Sequence, residues 1–156
     1  MHFKDRAIKL LSSFFYLGFL PLVPGTFGSL AGLFLFYLTA GSRWLHFWLT
    51  ALVIAAGFLV SGEAERIFRK NDPKFVVIDE AAGMLVSLLF LPFYDGWLLG
   101  LGFLLFRVLD TLKAYPAGCL QETRGSIGIM GDDLTAGIYT NIILQLIARF
   151  SLLRAV

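Results

Sequence analysis

Three short stretches of this 156-residue chain gather carboxylates and cations at spacings that can do chemistry. Asp79-Glu80 is an adjacent acidic pair followed by Ala81-Ala82-Gly83, small residues that let a second helix approach closely with ligands of its own. Arg107, Asp110 and Lys113 are spaced i, i+3, i+6, which predicts a base–acid–base row along one helical face. Such a row suits a metal ligand flanked by two phosphate-holding cations. The run from Gly125 to Gly131 reads as a glycine-punctuated loop, and Asp132-Asp133 as a carboxylate pair at the start of the helix that follows. Glycines let backbone bend close to a ligand, a helix N-terminus favours an anion, and paired aspartates hold a hard divalent cation. A fourth stretch, Pro24-Gly25-Thr26-Phe27-Gly28-Ser29, offers backbone N–H groups and two hydroxyls, and equally fits a plain helix entry.

Each stretch also has a blander reading. Asp79-Glu80 can complement a helix dipole, Arg107–Lys113 can be a salt-bridged helix end, and Asp132 can be an N-cap. Against these, Phe75–Ile78 is apolar and pushes the first pair inward, Arg107 and Asp110 lie deep, and a cap needs only one aspartate. Other chemistries are absent. No histidine falls near these stretches to make a Ser–His dyad, and there is no P-loop. The Cys119-to-Arg124 spacing is one residue short of a C-x5-R phosphate loop, and a lone cysteine excludes a disulfide framework.

The elements that must position these residues follow from where charge is missing. No charged residue lies between Lys9 and Arg43, Arg43 and Glu63, Glu80 and Asp95, Asp95 and Arg107, or Asp133 and Arg149. Trp44–Gly62 is long enough to span a bilayer, which takes about 20 residues. The first gap is broken at Pro21, Pro24, Gly25 and Gly28, so Lys4–Leu20 reads as an interfacial helix and Gly28–Ala40 as a span. The basic opening also resembles a secretory signal, but no clean small-residue cleavage site follows it. Phe75–Phe93 spans only with Asp79 and Glu80 about one turn inside it, Gly96–Leu112 only with Arg107 and Asp110 in its last two turns, and Leu134–Leu153 follows directly on Asp132 and Asp133. Ionisable groups at that depth are costly and usually face a polar cavity.

Composition agrees with this pattern. Hydrophobic residues make up 58% of the chain and charged residues 15%, against about 25% charged in soluble domains. That leaves too little polar surface to cover a globule in water. A net charge of +2 from scattered basic residues gives no nucleic-acid footprint. Lys4, Arg6 and Lys9, then Arg66, Arg69, Lys70 and Lys74, fall on one side of the predicted spans, with Lys113 and Arg124. The positive-inside rule makes that side cytoplasmic. Thr26, Asp79, Glu80, Asp110, Lys113, Asp132 and Asp133 are then all expected at the cytoplasmic interface.

Four ordered motifs carry a resemblance. PGTFGSLAG (Pro24–Gly32), IDEAAGM (Ile78–Met84), FRVLDTLKAYP (Phe106–Pro116) and GIMGDDLTAG (Gly128–Gly137) are similar to those of the phosphatidylglycerophosphatase A family. The family usually has Lys-Pro-x-Pro where this chain reads Lys113-Ala114-Tyr115-Pro116, which predicts a helix continuing one turn further here. It also tends to have Gly-Gly in place of Gly125-Ser126. The resemblance implies a Mg²⁺-dependent enzyme of the bacterial inner membrane that removes the terminal phosphate of phosphatidylglycerophosphate. The family's acidic positions correspond to Asp79, Glu80, Asp110, Asp132 and Asp133, and its lysine to Lys113.

The expectation is therefore one all-α domain over residues 1–156, an integral membrane bundle with about four or five embedded helices and no nucleic-acid partner. Asp79, Glu80, Asp110, Asp132 and Asp133 are expected to hold one or two Mg²⁺ ions, Arg107 and Lys113 to bind phosphoryl oxygens, and Thr26 and Ser29 to line the pocket. Water attack and an aspartyl-phosphate intermediate are both open. The rival readings are a cation-binding transporter, which predicts polar residues spread through the helices, and a CDP-alcohol phosphotransferase, whose D-G-x2-A-R spacing is missing.

Overall fold

Local signals set most helix boundaries in the computed structural model, which describes residues 3–70 and 72–154. After α1 (Phe3–Ser12) and a 3-10 turn at Leu17–Phe19, Pro24 opens α2 (Pro24–Thr39), at a position where its missing N–H costs nothing. Ser42 and Asp95 cap α3 (Arg43–Phe68) and α5 (Gly96–Leu112), accepting from the N–H of Leu45 at 3.3 Å and of Leu98 at 2.8 Å. Arg69 and Lys113 close the same two helices in the left-handed region, with φ of 52° and 48°. A short α6 (Ala117–Gln121) leads to α7 (Ser126–Arg154). Among the described residues there is no strand.

The centre of the bundle is α4 (Ile78–Ser87). Every one of its residues except Glu80 is buried, packed by α2, α3, α5 and α7. Small residues make that possible. A Cβ on Gly32 of α2 would lie 2.6 Å from the Ala81 carbonyl oxygen, and one on Gly83 of α4 would lie 2.6 Å from the Asp133 carbonyl oxygen. Three backbones therefore come within reach of one another at the level of the acidic residues.

Two expectations are corrected here. The apolar run Phe75–Phe93 forms only the ten-residue α4, about 15 Å long at 1.5 Å per residue. It stops because side chains from distant helices take over its last carbonyls. Asn141 Nδ2 donates to the Ser87 and Leu89 oxygens at 3.0 and 2.8 Å. Gln145 Nε2 donates to those of Leu89 and Phe90 at 3.1 and 2.9 Å. His46 Nε2 lies 3.1 Å from the Leu85 oxygen. Backbone freed inside an apolar environment must find partners within the protein, and here it does. Second, α7 begins at Ser126, so Gly128 and Gly131 are helical and only Gly125, at φ 77°, makes a turn. Those glycines serve close packing rather than a ligand-cradling loop. Asp132 and Asp133 thus sit in the second turn of α7, away from its N-cap.

The helix connections separate the two ends of the bundle. At one end, the Tyr94 hydroxyl donates to the Ala40 oxygen, joining the α2–α3 and α4–α5 loops. Trp44, Trp48 and Trp97, the only tryptophans in the chain, lie at that end on the first two turns of α3 and the first turn of α5, all well exposed. At the other end, Gln121 Nε2 donates to Asp72 Oδ2 at 3.4 Å, joining the α3–α4 connection to α6. Of the helices, α3 and α7 are long and apolar enough to cross a bilayer, which points to membrane association.

Candidate active site

The N-terminal turn of α4 and the second turn of α7 meet where Gly83 allows close approach, and they bring Asp79, Glu80 and Asp133 together. One carboxylate oxygen from each lies within 4.8 Å of the others. Asp79 Oδ1, Glu80 Oε2 and Asp133 Oδ2 are buried, and no hydrogen-bond donor among the described residues reaches any of them. Three carboxylates that each keep a desolvated oxygen without a donor are costly, and buried carboxylates of this kind are paired or coordinate a cation. The donor set is all hard oxygen, which suits a Mg²⁺-like ion. The residues present therefore fit a divalent cation.

The two remaining aspartates are each tied to a base. Arg107 Nη1 donates to Asp110 Oδ2 at 2.8 Å, one turn along α5, and also to Ser29 Oγ at 3.4 Å. Ser29 is fully buried on α2 and itself donates to the Gly25 carbonyl oxygen at 2.9 Å. Lys113 Nζ donates to Asp132 Oδ2 at 2.6 Å. Burial alone would lower the Lys113 pKa, but that hydrogen bond and the charge of Asp132 outweigh it and hold the ammonium above its usual range. Lys113 therefore stays charged beside the carboxylates.

The predicted row along one face of α5 is only partly formed. Lys113 occupies the left-handed position that ends α5, so the helix does not continue another turn, and its side chain reaches across to α7. Asp110 and Asp132 stand outside the close trio, though both lie near Asp133. Thr26 lies on the first turn of α2, half-buried, and makes no side-chain hydrogen bond.

A cavity of about 290 Å³ opens onto Asp79, Glu80 and Arg107. Leu22, Val23, Pro24 and Gly25 form one wall and Asp72, Lys74 and Val76 another; Thr26 is not among its lining residues. The sequence does not mark Asp72 as a site residue, and it marks Lys74 only as one of the basic residues that set orientation. Their only local signal is a charge pair in the Asp72-Pro73-Lys74 connection, a few residues before Asp79.

Comparison with known proteins gives a consistent result. The family model described as phosphatidylglycerophosphatase A matches residues 10–148. A phosphatidylglycerophosphatase A of Escherichia coli is 35% identical over 88% of this chain and 81% of its own length. One of Haemophilus influenzae is 33% identical over 87% of this chain and 85% of its own. A Bacteroides thetaiotaomicron protein, provisionally named a phosphatidylinositol-3-phosphatase, is 32% identical over 86% and 89% respectively. No solved structure matches the chain.

Proposed function

This chain belongs to the phosphatidylglycerophosphatase A family, and from that premise we propose that it hydrolyses phosphatidylglycerophosphate to phosphatidylglycerol and phosphate in a Mg²⁺-dependent reaction. The observation that carries the proposal is the trio of Asp79, Glu80 and Asp133, each with a buried unpartnered oxygen, of which Asp79 and Glu80 open onto a cavity that also presents Arg107. The trio would hold the cation, with Asp110 and Asp132 beside it. When bound, the ion supplies positive charge to the phosphate and orients the attacking water.

The chain's own residues do the rest. Arg107 takes phosphoryl oxygens, and its contacts with Asp110 and Ser29 hold the guanidinium in place. Lys113, kept charged by Asp132, adds a second cation. Leu22 and Val23, both exposed at the rim, give the lipid's apolar part a surface to rest on. The named relatives act on different lipids, but their names share a lipid phosphate monoester. Charge on the phosphate is what this site is equipped to meet.

In this reading the chain lies in the bacterial inner membrane with α2, α3, α5 and α7 embedded and α4 buried among them. The carboxylate end faces the cytoplasm, since Arg66, Arg69, Lys70 and Lys74 gather there while the tryptophans ring the other end. Lipid phosphates lie at that depth. The polar side chains at the far end are spent on the carbonyls of α4, which disfavours a transport path.

Phosphate release from phosphatidylglycerophosphate by the purified protein, with Mg²⁺ and after washing in excess EDTA, tests the proposal. Release only with the cation is expected; full release in EDTA refutes the metal, and none in either refutes the substrate. The exposed Cys119 reports orientation without mutation. An impermeant thiol reagent should label it in inside-out vesicles and leave it unlabelled in right-side-out ones. The reverse pattern overturns the orientation.

A further inference from the structure

A second polar cavity, of about 770 Å³, lies where the last turns of α3 meet the start of α7. It shares no lining residue with the catalytic cavity. Its frame is fixed by hydrogen bonds between the two helices. The Gly62 N–H donates to Ser126 Oγ at 2.9 Å, the Ser126 hydroxyl donates to the Phe58 oxygen at 2.6 Å, and the Gly125 N–H donates to Glu65 Oε2 at 2.9 Å.

Four cations and two carboxylates line it. Both carboxylates are already engaged. Glu63 pairs with Arg66 at 2.8 Å, and Glu65 accepts from the backbone N–H groups of Asp72 and Gly125. Arg69, Lys70 and Arg124 are exposed and make no ion pair among the described residues. The cavity also has an apolar side, since Phe58 and Leu59 line it and are 40% and 77% exposed. From Leu59 to Arg69 along α3 is about 15 Å at 1.5 Å per residue. Cations over an apolar wall, at the end of two bilayer-length helices, match an anionic head above an acyl chain.

We infer that this cavity is a binding site for an anionic phospholipid, whose headgroup phosphodiester is held by Arg69, Lys70 and Arg124 while its chain lies against Phe58 and Leu59. The site is separate from the reacting phosphate. Guanidinium groups take phosphate oxygens in pairs, and a zwitterionic lipid brings a choline cation that this rim repels.

The test is lipid retention by the full chain, purified in detergent with phosphatidylcholine and phosphatidylserine of matched acyl chains and read by native mass spectrometry. The wild type is expected to keep phosphatidylserine over phosphatidylcholine. Combining Arg69→Gln, Lys70→Gln and Arg124→Gln should cut that preference at least about tenfold, given the usual contribution of each basic residue at an anionic surface. Turnover on phosphatidylglycerophosphate in detergent micelles should be unchanged, which shows the variant folded. An Arg69→Lys, Arg124→Lys variant keeps the charge and loses the paired contacts, so its preference should fall between those of the wild type and the triple variant. Equal retention of the two lipids by the wild type, or an undiminished preference in the triple variant, overturns the inference. Inorganic phosphate displacing phosphatidylserine at equal concentration also overturns it, by assigning the cavity to a soluble anion.

Discussion

The two ends of α4 are both polar and both buried, yet they are finished differently. At the C-terminal end, His46, Asn141 and Gln145 contact the carbonyl oxygens of Leu85, Ser87, Leu89 and Phe90, so each of these has a partner. At the N-terminal end, Asp79, Glu80 and Asp133 each keep a buried oxygen that nothing reaches. Buried polar groups are as a rule partnered, and three unpartnered carboxylate oxygens in one place are an exception that a bound cation would resolve. The same helix therefore carries a closed end that holds the fold and an open end that we propose takes a cation and a phosphate.

The sharpest way to break that contrast is to remove charge from the open end. Asp133→Asn and Asp79→Asn keep the shape of the side chain and take away the charge that would hold a cation. Turnover is expected to fall at least about a hundredfold, the scale seen when preorganised electrostatic stabilisation is lost. Stability should hold or rise, because a buried unpaired charge has gone. Turnover and thermal melting on the same preparations check both halves. Near-normal turnover in both variants would return these residues to a packing role; a helix cap is excluded for Asp133 by its place in α7.

Arg107→Ala should act on binding. A charged hydrogen bond is worth about 1.5–3 kcal/mol, so KM is expected to rise about tenfold or more. If turnover falls as steeply, Arg107 grips the transition state more tightly than the ground state.

At the closed end the effect should move to stability. Asn141→Leu strands the Ser87 carbonyl, at about 1–3 kcal/mol for a buried unsatisfied group, while Leu89 keeps its bond from Gln145. Turnover per folded molecule should stay close to wild type. A loss of turnover without a loss of stability would show that the far end also serves the chemistry.

The smallest effect is expected at Thr26. It makes no side-chain hydrogen bond and lines no part of the catalytic cavity, so Thr26→Val should change kcat/KM by less than about twofold. Ser29, which touches Arg107, should matter more.

Sequence reasoning reached the open end and missed the closed one, for a physical reason. Helices are written locally. The expected Gly96–Leu112 is the helix α5, and Trp44–Gly62 lies inside α3, which is long and apolar enough to cross a bilayer. The acidic residues were legible because carboxylates beside small residues in an apolar chain have few structural uses. The end of α4 at Ser87 was not, since apolar sequence runs on through Leu88–Phe93 and the groups that stop the helix come from α3 and α7. Likewise Gly128 and Gly131 looked like a loop, because the reason for a glycine inside a helix is a neighbour that only the fold supplies. Lys113 was placed on a helical face that ends one residue earlier, and reached Asp132 by another route.

The central claim is that the open end holds a divalent cation, and thermal unfolding with and without that cation tests it most directly. Mg²⁺ at about a hundred times its dissociation constant should stabilise the wild type by about 2.7 kcal/mol relative to EDTA. A variant combining Asp79→Asn, Glu80→Gln and Asp133→Asn should melt at the same temperature in Mg²⁺ and in EDTA. Identical wild-type melting in the two buffers, with turnover undiminished in EDTA, would contradict the account.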